Sequence, residues 1–280
     1  MLRALLLLVL LASLGGCATS PSSLVEVRAF ADASASLGGY AELSHRYRDT
    51  YAREQPYLVP GADPLARATD ARRRAVYDDF VSLQKALVRY MQTLSVLAAD
   101  TRYDLGPRLD DVGTSLKAST ESGLTERHIT AYTGVTRLLT RIAASGYQQR
   151  SVDAMVRDGD ASVQALLDGM IVLTRLYAKT NENEKKTVLG ALDLELASAP
   201  RGADRLLLIL ARAHLQNKTA EYQLLEKRYD LAMQGLARVA EGHRRLRENL
   251  HRLTRDDARA MVAAYAHDLR LIHEGLQEGT

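Results

Sequence analysis

Aromatic residues other than tyrosine are scarce in this sequence, and the scarcity limits what the protein can bind. There is no tryptophan, and there are only two phenylalanines against thirteen tyrosines. Flat side chains on which nucleobases or planar cofactors could stack are therefore few. With 46% hydrophobic residues, the chain can still build a sizeable core, and that core must consist mainly of leucine, valine, alanine and tyrosine.

Neither sign of charge dominates. The chain has 37 lysine and arginine residues against 34 aspartate and glutamate residues, a formal net charge of +3. A balance this even does not indicate a nucleic-acid partner.

Sequence motifs of catalysis are missing as well. The chain has no Gly-x-Ser-x-Gly elbow, His-Glu-x-x-His pair, phosphate-binding loop or Cys-x-x-Cys-His motif. The sequence therefore predicts a protein that is not an enzyme and that has no cofactor.

No segment is long and apolar enough to span a membrane, which requires about twenty residues. After the N-terminal region the most strongly hydrophobic run is Leu206 to Ala211, which has only six residues. At the N-terminus, Arg3 precedes a largely apolar segment from Ala4 to Leu14, and Gly15 and Gly16 follow it. A positive start, an apolar stretch and a small-residue exit are the pattern of a signal peptide.

The residues Leu14, Gly15, Gly16 and Cys17 resemble the lipobox of bacterial lipoproteins. The resemblance implies cleavage before Cys17, a diacylglyceryl group on its sulfur and an acyl chain such as palmitate on its amine. It covers only the leader and Cys17; the alternative is an ordinary signal peptide with an incidental cysteine.

Ala18 is not the aspartate that retains lipoproteins at the inner membrane of enteric bacteria, so the resemblance implies the periplasmic face of the outer membrane. Sorting rules differ between lineages, which leaves the inner membrane as the alternative. Cys17 is the only cysteine, so disulfides cannot stabilise the chain. Two or more acyl chains would hold the protein durably, since each buried methylene contributes about 0.8 kcal/mol.

We predict that the mature chain is overwhelmingly helical. Its longest stretch of periodic hydrophobic residues runs from about Gly202 to Leu253. Apolar or aromatic residues there recur alternately three and four positions apart, with Lys218 and His243 as the polar exceptions. This 3.5-residue period is typical of long helices packed in coiled-coil-like fashion. The seam consists of Leu208, Ala211, Leu215, Lys218, Tyr222, Leu225, Tyr229, Ala232, Leu236, Val239, His243, Leu246, Leu250 and Leu253.

We therefore predict an all-α fold, an elongated antiparallel helical bundle in which the two longest helices form a hairpin at residues 199–202. A polar run at residues 180–186 leaves open whether the fifth helix continues with an exposed middle or breaks near Asn181. The predicted divisions are a signal peptide at 1–16, a lipidated cysteine with a short linker at 17–23, and a bundle domain at 24–280. The predicted helices cover about 22–55, 63–99, 125–145, 148–198, 202–253 and 254–279, with a short helix beginning at Pro107.

Two Glu-x-x-His pairs resemble the ligand sets of di-metal bundles, namely Glu42 with His45 and Glu248 with His251. Leu246 and Leu250 define the inner face of the long helix, which puts Glu248 and His251 on the opposite face. Glu42 is likewise off the inner face of the first helix. No metal site is predicted.

His243 and Lys218 occupy seam positions, so a buried imidazole or ammonium is expected there. Each could serve a ligand or set the helix register. The alternative is purely structural, with one hydrogen bond to His243 and with the Lys218 ammonium extended to water.

Arginine runs occur at Arg72 to Arg74 and between Arg244 and Arg259. They could contact anionic headgroups or an acidic partner. The helical period spreads each run around its helix, which favours a solvated face.

The sequence thus predicts a membrane-anchored periplasmic lipoprotein that acts as a structural or protein-interaction module of the cell envelope, with a protein partner and no nucleic acid. The alternative is a helical bundle that sequesters a small ligand or a metal between its helices.

Overall fold

A computed structural model describes residues 24–36, 38–99, 123–144, 150–200, 204–253 and 255–277 of the chain. These residues form an all-α bundle, as predicted, and no β-sheet occurs among them. The helices are α1 Val25–Ala35, α2 Gly38–Arg48, α3 Thr50–Glu54, α4 Asp63–Ala98, α5 Glu126–Ala144, α6 Arg150–Ser198, α7 Arg205–Asn249 and α8 Asp256–Gln277, with 3-10 turns at Gln55–Tyr57 and Leu250–Arg252. The predicted leader, the lipidated Cys17 with its linker, and the short helix at Pro107 lie outside these ranges.

Helix α6 lies at the centre of the bundle and packs against α4, α5 and α7. Helix α7 packs in turn against α8, and α1 fills the space between α4 and α8. The two longest helices, α6 and α7, are neighbours and form the predicted hairpin. The core is rich in tyrosine, as expected from the composition; its largest fully buried side chains include Tyr40, Tyr90, Tyr177, Tyr222 and Tyr229.

The first predicted helix is divided into three. Helix α1 ends at Ala35 and α2 begins at Gly38, where the adjacent glycines Gly38 and Gly39 favour a bend in the chain. The bend brings Gly39 against Leu276 of α8, whose Cβ lies 3.0 Å from the position that a Cβ on Gly39 would occupy. A second interruption at Asp49 precedes α3.

Helix α4 agrees with the predicted range 63–99 to within one residue at its C-terminus. Asp63 is the first helical residue and Ala62 holds the N-cap position. The Asp63 side chain does not cap the helix, because its oxygens accept hydrogen bonds from Tyr51 Oη and Arg67 Nε, both at 2.7 Å. Apolar residues also recur three and four positions apart along α4. Val76 of this seam is half-buried, and its other positions are buried: Phe80, Leu83, Leu87, Tyr90, Leu94 and Leu97.

Helix α6 is continuous through the polar run, so the alternative break near Asn181 does not occur. The expectation of an exposed middle is wrong in part, since Asn181 and Glu184 are buried. Arginines from α2 and α3 supply the hydrogen bonds that make this burial tolerable.

The α7 seam is buried from Tyr222 to Leu253, whereas its first four positions are only half-buried. In α8 the most buried face contains Val262 and Ala266. Met261, Tyr265 and Ile272, which share a helical period of three and four residues, are half-buried at the edge of that face.

Candidate interaction surface

The α6–α7 hairpin extends beyond the rest of the bundle as a two-helix arm, which we define as residues 189–200 and 204–221. No residue of the arm is fully buried. The 3-10 turn after α3 contacts the arm about midway along its α7 segment, where Tyr57 Oη lies 2.7 Å from His214 Nε2 and the two rings stack. Leu189, Leu192, Leu196, Leu208 and Leu215 are half-buried, as expected for a seam between only two helices.

Large apolar side chains cluster at the end of this arm. Five of them are between 51% and 64% exposed, and we call this set the apolar tip: Leu194, Leu206, Leu207, Ile209 and Leu210. Because residues 206–210 occupy five successive positions 100° apart, they cover every face of the first turn and a half of α7. A helix that is apolar on all sides is normally surrounded by other apolar groups, so the tip is suited to enter a recess.

The apolar tip and the N-terminal end of the described chain lie at opposite ends of the bundle. Phe30 of α1 packs against Gly242, Glu42 of α2 pairs with Arg228, and Tyr57 reaches His214. The N-terminal helices therefore run antiparallel to α7. From Gly242 to Leu206 the helical rise amounts to about 54 Å.

A buried carboxylate anchors the base of the arm. Glu184 of α6 is 1% exposed and accepts hydrogen bonds from Arg46 Nη2 at 3.0 Å, Arg53 Nε and Nη2 at 2.9 and 2.7 Å, and Tyr222 Oη at 3.1 Å. These donors come from α2, α3 and α7 respectively. The network thus connects three helices to α6 where the arm leaves the bundle.

The pKa shifts of Arg53 and Tyr222 agree with the hydrogen bonds that these residues donate to Glu184. Burial opposes the charge of Arg53, yet the hydrogen bonds to Glu184 and its negative charge hold the pKa of Arg53 above its ordinary value. Burial raises the pKa of the Tyr222 phenol, and the charge of Glu184 raises it further. Tyr222 therefore stays protonated and donates its hydrogen to the carboxylate.

His243 is at a fully buried position, as its place in the seam predicted. It is 0% exposed; its Nδ1 lies 3.0 Å from Asp160 Oδ1 and its Nε2 lies 2.8 Å from Tyr90 Oη. Tyr90 Oη also donates to the Met155 carbonyl at 3.0 Å. The imidazole joins α4, α6 and α7 through these contacts. His243 therefore makes more than the one hydrogen bond expected of a structural residue, and its position is closed to solvent.

Burial raises the pKa of the Tyr90 phenol well above its ordinary value, and the negative charge of Asp160 contributes. Burial works against ionisation of Asp160 as well. Hydrogen bonds and positive charge from His243, with help from Arg247, nevertheless keep the pKa of Asp160 below its ordinary value.

The Lys218 ammonium reaches the surface, as the structural interpretation expects. Its side chain is 27% exposed, and its Nζ donates to Glu221 Oε2 at 2.7 Å. It lies on the arm, where only one partner helix covers the seam.

The two Glu-x-x-His pairs do not form a metal site. Glu248 and His251 are exposed, as predicted, while Glu42 pairs with Arg228 and His45 lies 2.9 Å from Tyr77 Oη. Within the described ranges no group of three or more His, Cys, Asp or Glu side chains could hold a metal ion.

The arginine run of α7 and α8 is largely neutralised by neighbouring acids. Glu241 pairs with Arg244 and Arg245, while Asp160 pairs with Arg247. Further along, Arg252 and Arg255 both contact Asp257, and Arg259 contacts Asp256. These arginines therefore form ion pairs on the surface of the protein. This arrangement agrees with the solvated face that the helical period favours.

Sequence reasoning missed both the apolar tip and the Glu184 network. Leu206 to Leu210 stood out as an apolar run, but the seam interpretation placed only Leu208 inward and left the other faces without a role. Nothing local to Glu184 distinguishes it from Glu182 or Glu195, because its burial depends on arginines more than 130 residues away.

Comparison of the chain with protein-family models, with curated proteins and with solved structures found no match. In the part of the chain that the structure describes, no helix has the length and apolarity needed to cross a bilayer. The fold and the surface define a class only: an all-α bundle that carries a projecting two-helix arm with an apolar end.

Proposed function

We propose that this protein is a lipid-anchored component of the bacterial envelope that uses its arm to dock with a protein partner. Cys17, in the lipobox-like leader, would carry the lipid at the periplasmic face of the outer membrane. The observation that carries the proposal is the apolar tip, whose five side chains are each more than half exposed and which lies at the end of the bundle opposite Leu24.

The arrangement of the two ends supports this role. The chain between Cys17 and Leu24 can span at most about 25 Å, so the N-terminal end of the bundle would stay near its membrane. When the bundle stands away from that membrane, α7 carries the tip about 54 Å beyond Gly242. The Glu184 network holds the base of the arm, so that the tip is presented by a fixed element.

The charges beside the tip favour a protein over a bilayer as the occupant. The sequence around it is mixed in charge, with three acids and three arginines: Asp193, Glu195, Asp204, Arg201, Arg205 and Arg212. Carboxylates are repelled by anionic headgroups. An apolar protein recess with a polar rim would cover all faces of the tip and would pair with both signs of charge.

Covering the apolar tip would contribute a substantial binding free energy. Burying an exposed leucine or isoleucine contributes roughly 1.5 to 3 kcal/mol, so five side chains that are more than half exposed offer on the order of 5 kcal/mol. Contacts around the rim and to the sides of the arm would add to this. Such a contact fits a docking element that acts together with the lipid anchor.

The test is site-specific photo-crosslinking in intact cells, with the photoreactive residue placed at Leu207 and, as a matched control, at Leu65 of α4. Both positions are exposed leucines near a helix N-terminus. We expect one discrete protein adduct from position 207, none from position 65, and loss of the adduct when Leu210→Asp is added.

The purified adduct partner should then bind the parent protein and fail to bind Leu207→Asp, whose melting temperature should equal that of the parent. Crosslinks from position 207 to lipid would replace the protein partner with a bilayer. Crosslinks to a second copy of the chain would show self-association, and either result overturns the proposal.

A further inference from the structure

The arginine run of α4 contains one buried member. Arg73 is 8% exposed, and its Nε and Nη2 atoms have no hydrogen-bond acceptor within the described chain. Its contact with Asp70 is too long for a hydrogen bond, with 3.8 Å between Nη2 and Asp70 Oδ1. Since burying unpaired donors of a cation is costly, Arg73 has the capacity to bind an anionic acceptor through two N–H groups.

The neighbouring charged residues do not satisfy the hydrogen-bonding capacity of the Arg73 guanidinium. Asp70 is engaged by Arg74, whose Nε donates to Asp70 Oδ2 at 2.7 Å. Glu54 of α3 faces Arg73 as well, and burial raises the pKa of Glu54 above its ordinary value although Arg73 opposes the shift. Arg72 is exposed and bonds to the preceding turn of its own helix, at Ala68 O and Thr69 Oγ1.

Arg73 lines a cavity of about 350 Å³ between α2, α4 and α6. Arg72 lies with it on the α4 side, whereas Tyr47, Val76 and Leu176 provide ring and aliphatic surface. Two threonine hydroxyls complete the lining and donate to carbonyls of their own helices. The volume is at the lower end of the range for small-molecule sites, and the lining combines a cationic group with apolar walls.

We propose that this cavity binds a small amphiphilic carboxylate, with the carboxylate on Arg73 and the aliphatic chain against Val76 and Leu176. A guanidinium matches a carboxylate through two parallel N–H···O bonds. Nε and Nη2 of Arg73 lack acceptors but are themselves enclosed, so the side chain must rotate toward the cavity to donate them to the ligand. The site is independent of the arm and of the protein partner proposed above.

The test is calorimetric titration of octanoate into the full-length protein held in phosphatidylcholine nanodiscs, with empty nanodiscs as the blank. We expect one octanoate per chain. Arg73→Met should weaken binding about tenfold or more, because it removes charged hydrogen bonds while leaving an apolar side chain of similar length. The affinity of Arg73→Lys for octanoate should lie between those of the parent and Arg73→Met.

Arg67→Met is the matched control, since it removes the same charge from an exposed position of α4 that does not line the cavity. It should bind octanoate like the parent, and circular dichroism should show all three variants folded. Absence of octanoate heat above the blank, equal binding by Arg73→Met, or equally tight binding of octanol would each overturn the site. Inorganic phosphate that binds as tightly as octanoate would overturn the assignment of an aliphatic carboxylate.

Discussion

Glu184 illustrates how single residues hold this bundle together. Its carboxylate is removed from water, yet two arginines and a tyrosine hydroxyl satisfy it. A buried ion pair of this kind contributes little relative to an apolar replacement, but removing one partner leaves the others charged and unpaired.

We predict that Glu184→Gln lowers the free energy of unfolding by roughly 3 to 5 kcal/mol, because Arg46 and Arg53 lose their charged acceptor. Urea denaturation followed by circular dichroism measures the change. Glu182→Gln is the control on the same helix. The Glu182 side chain is 44% exposed and pairs with Lys179 and Lys186 at the surface, so its variant should denature like the parent. Similar urea midpoints for Glu184→Gln and the parent would contradict the assigned role.

Asp160 makes the stability depend on pH. Its folded-state pKa lies below the ordinary value of 3.8, so ionised Asp160 stabilises the fold above about pH 4, and this contribution is lost as the pH falls through the folded-state value. We expect urea midpoints of the parent to fall more steeply between about pH 4 and pH 2 than those of Asp160→Asn. Equal slopes for the two proteins would rule out this linkage.

At the scale of helices, the buried part of the α7 seam carries much of the packing. Leu236 and Leu246 are fully buried, and Glu248 lies on the opposite, exposed face. Truncation of either leucine to alanine should cost about 2 to 5 kcal/mol, from lost burial and the remaining cavity. Glu248→Ala should stay within about 0.5 kcal/mol of the parent; thermal unfolding compares the three, and a reversed order would show that the helix faces are misassigned.

Gly242 and Gly190 differ in how closely a neighbouring helix approaches them. A Cβ on Gly242 would lie 2.4 Å from Phe30 Cε2, and Phe30 is fully buried between α1 and α7. No atom lies within 4 Å of the corresponding position on Gly190 in the arm.

We predict that Gly242→Ala is destabilising, since Phe30 has no free space into which it can move. Gly190→Ala should stabilise the protein by up to about 1 kcal/mol through helix propensity. Melting temperatures of the two variants should therefore shift in opposite directions. A Gly242→Ala protein as stable as the parent would show that α1 packs less closely on α7 than described.

At the scale of the whole molecule, the proposed lipid on Cys17 and the apolar tip would lie at opposite ends of the bundle. Replacing Cys17 with serine should prevent lipidation and processing at this site and move the protein out of the membrane fraction. Cell fractionation and intact-mass measurement report both effects, with Ala18→Ser as a control that keeps the cysteine. Lipid-modified, cleaved protein from Cys17→Ser would contradict the anchor.

The sequence by itself determined the helical class and the faces of most helices. Hydrophobic periodicity is a local property of the chain, so the α4 and α7 seams and the exposed positions of Glu248 and His251 could be read directly. The hairpin between α6 and α7 followed from Pro200 and Gly202 between two long periodic segments.

Only the tertiary structure decided which polar residues are buried and which apolar residues are exposed. Glu184 is buried because α2 and α3 bring Arg46 and Arg53 to it, and Arg73 is buried because α4 packs against α6 at that point. Leu207 is exposed because α6 and α7 continue beyond the helices that cover them elsewhere. Burial depends on what other segments place beside a residue, and a local pattern does not contain that information.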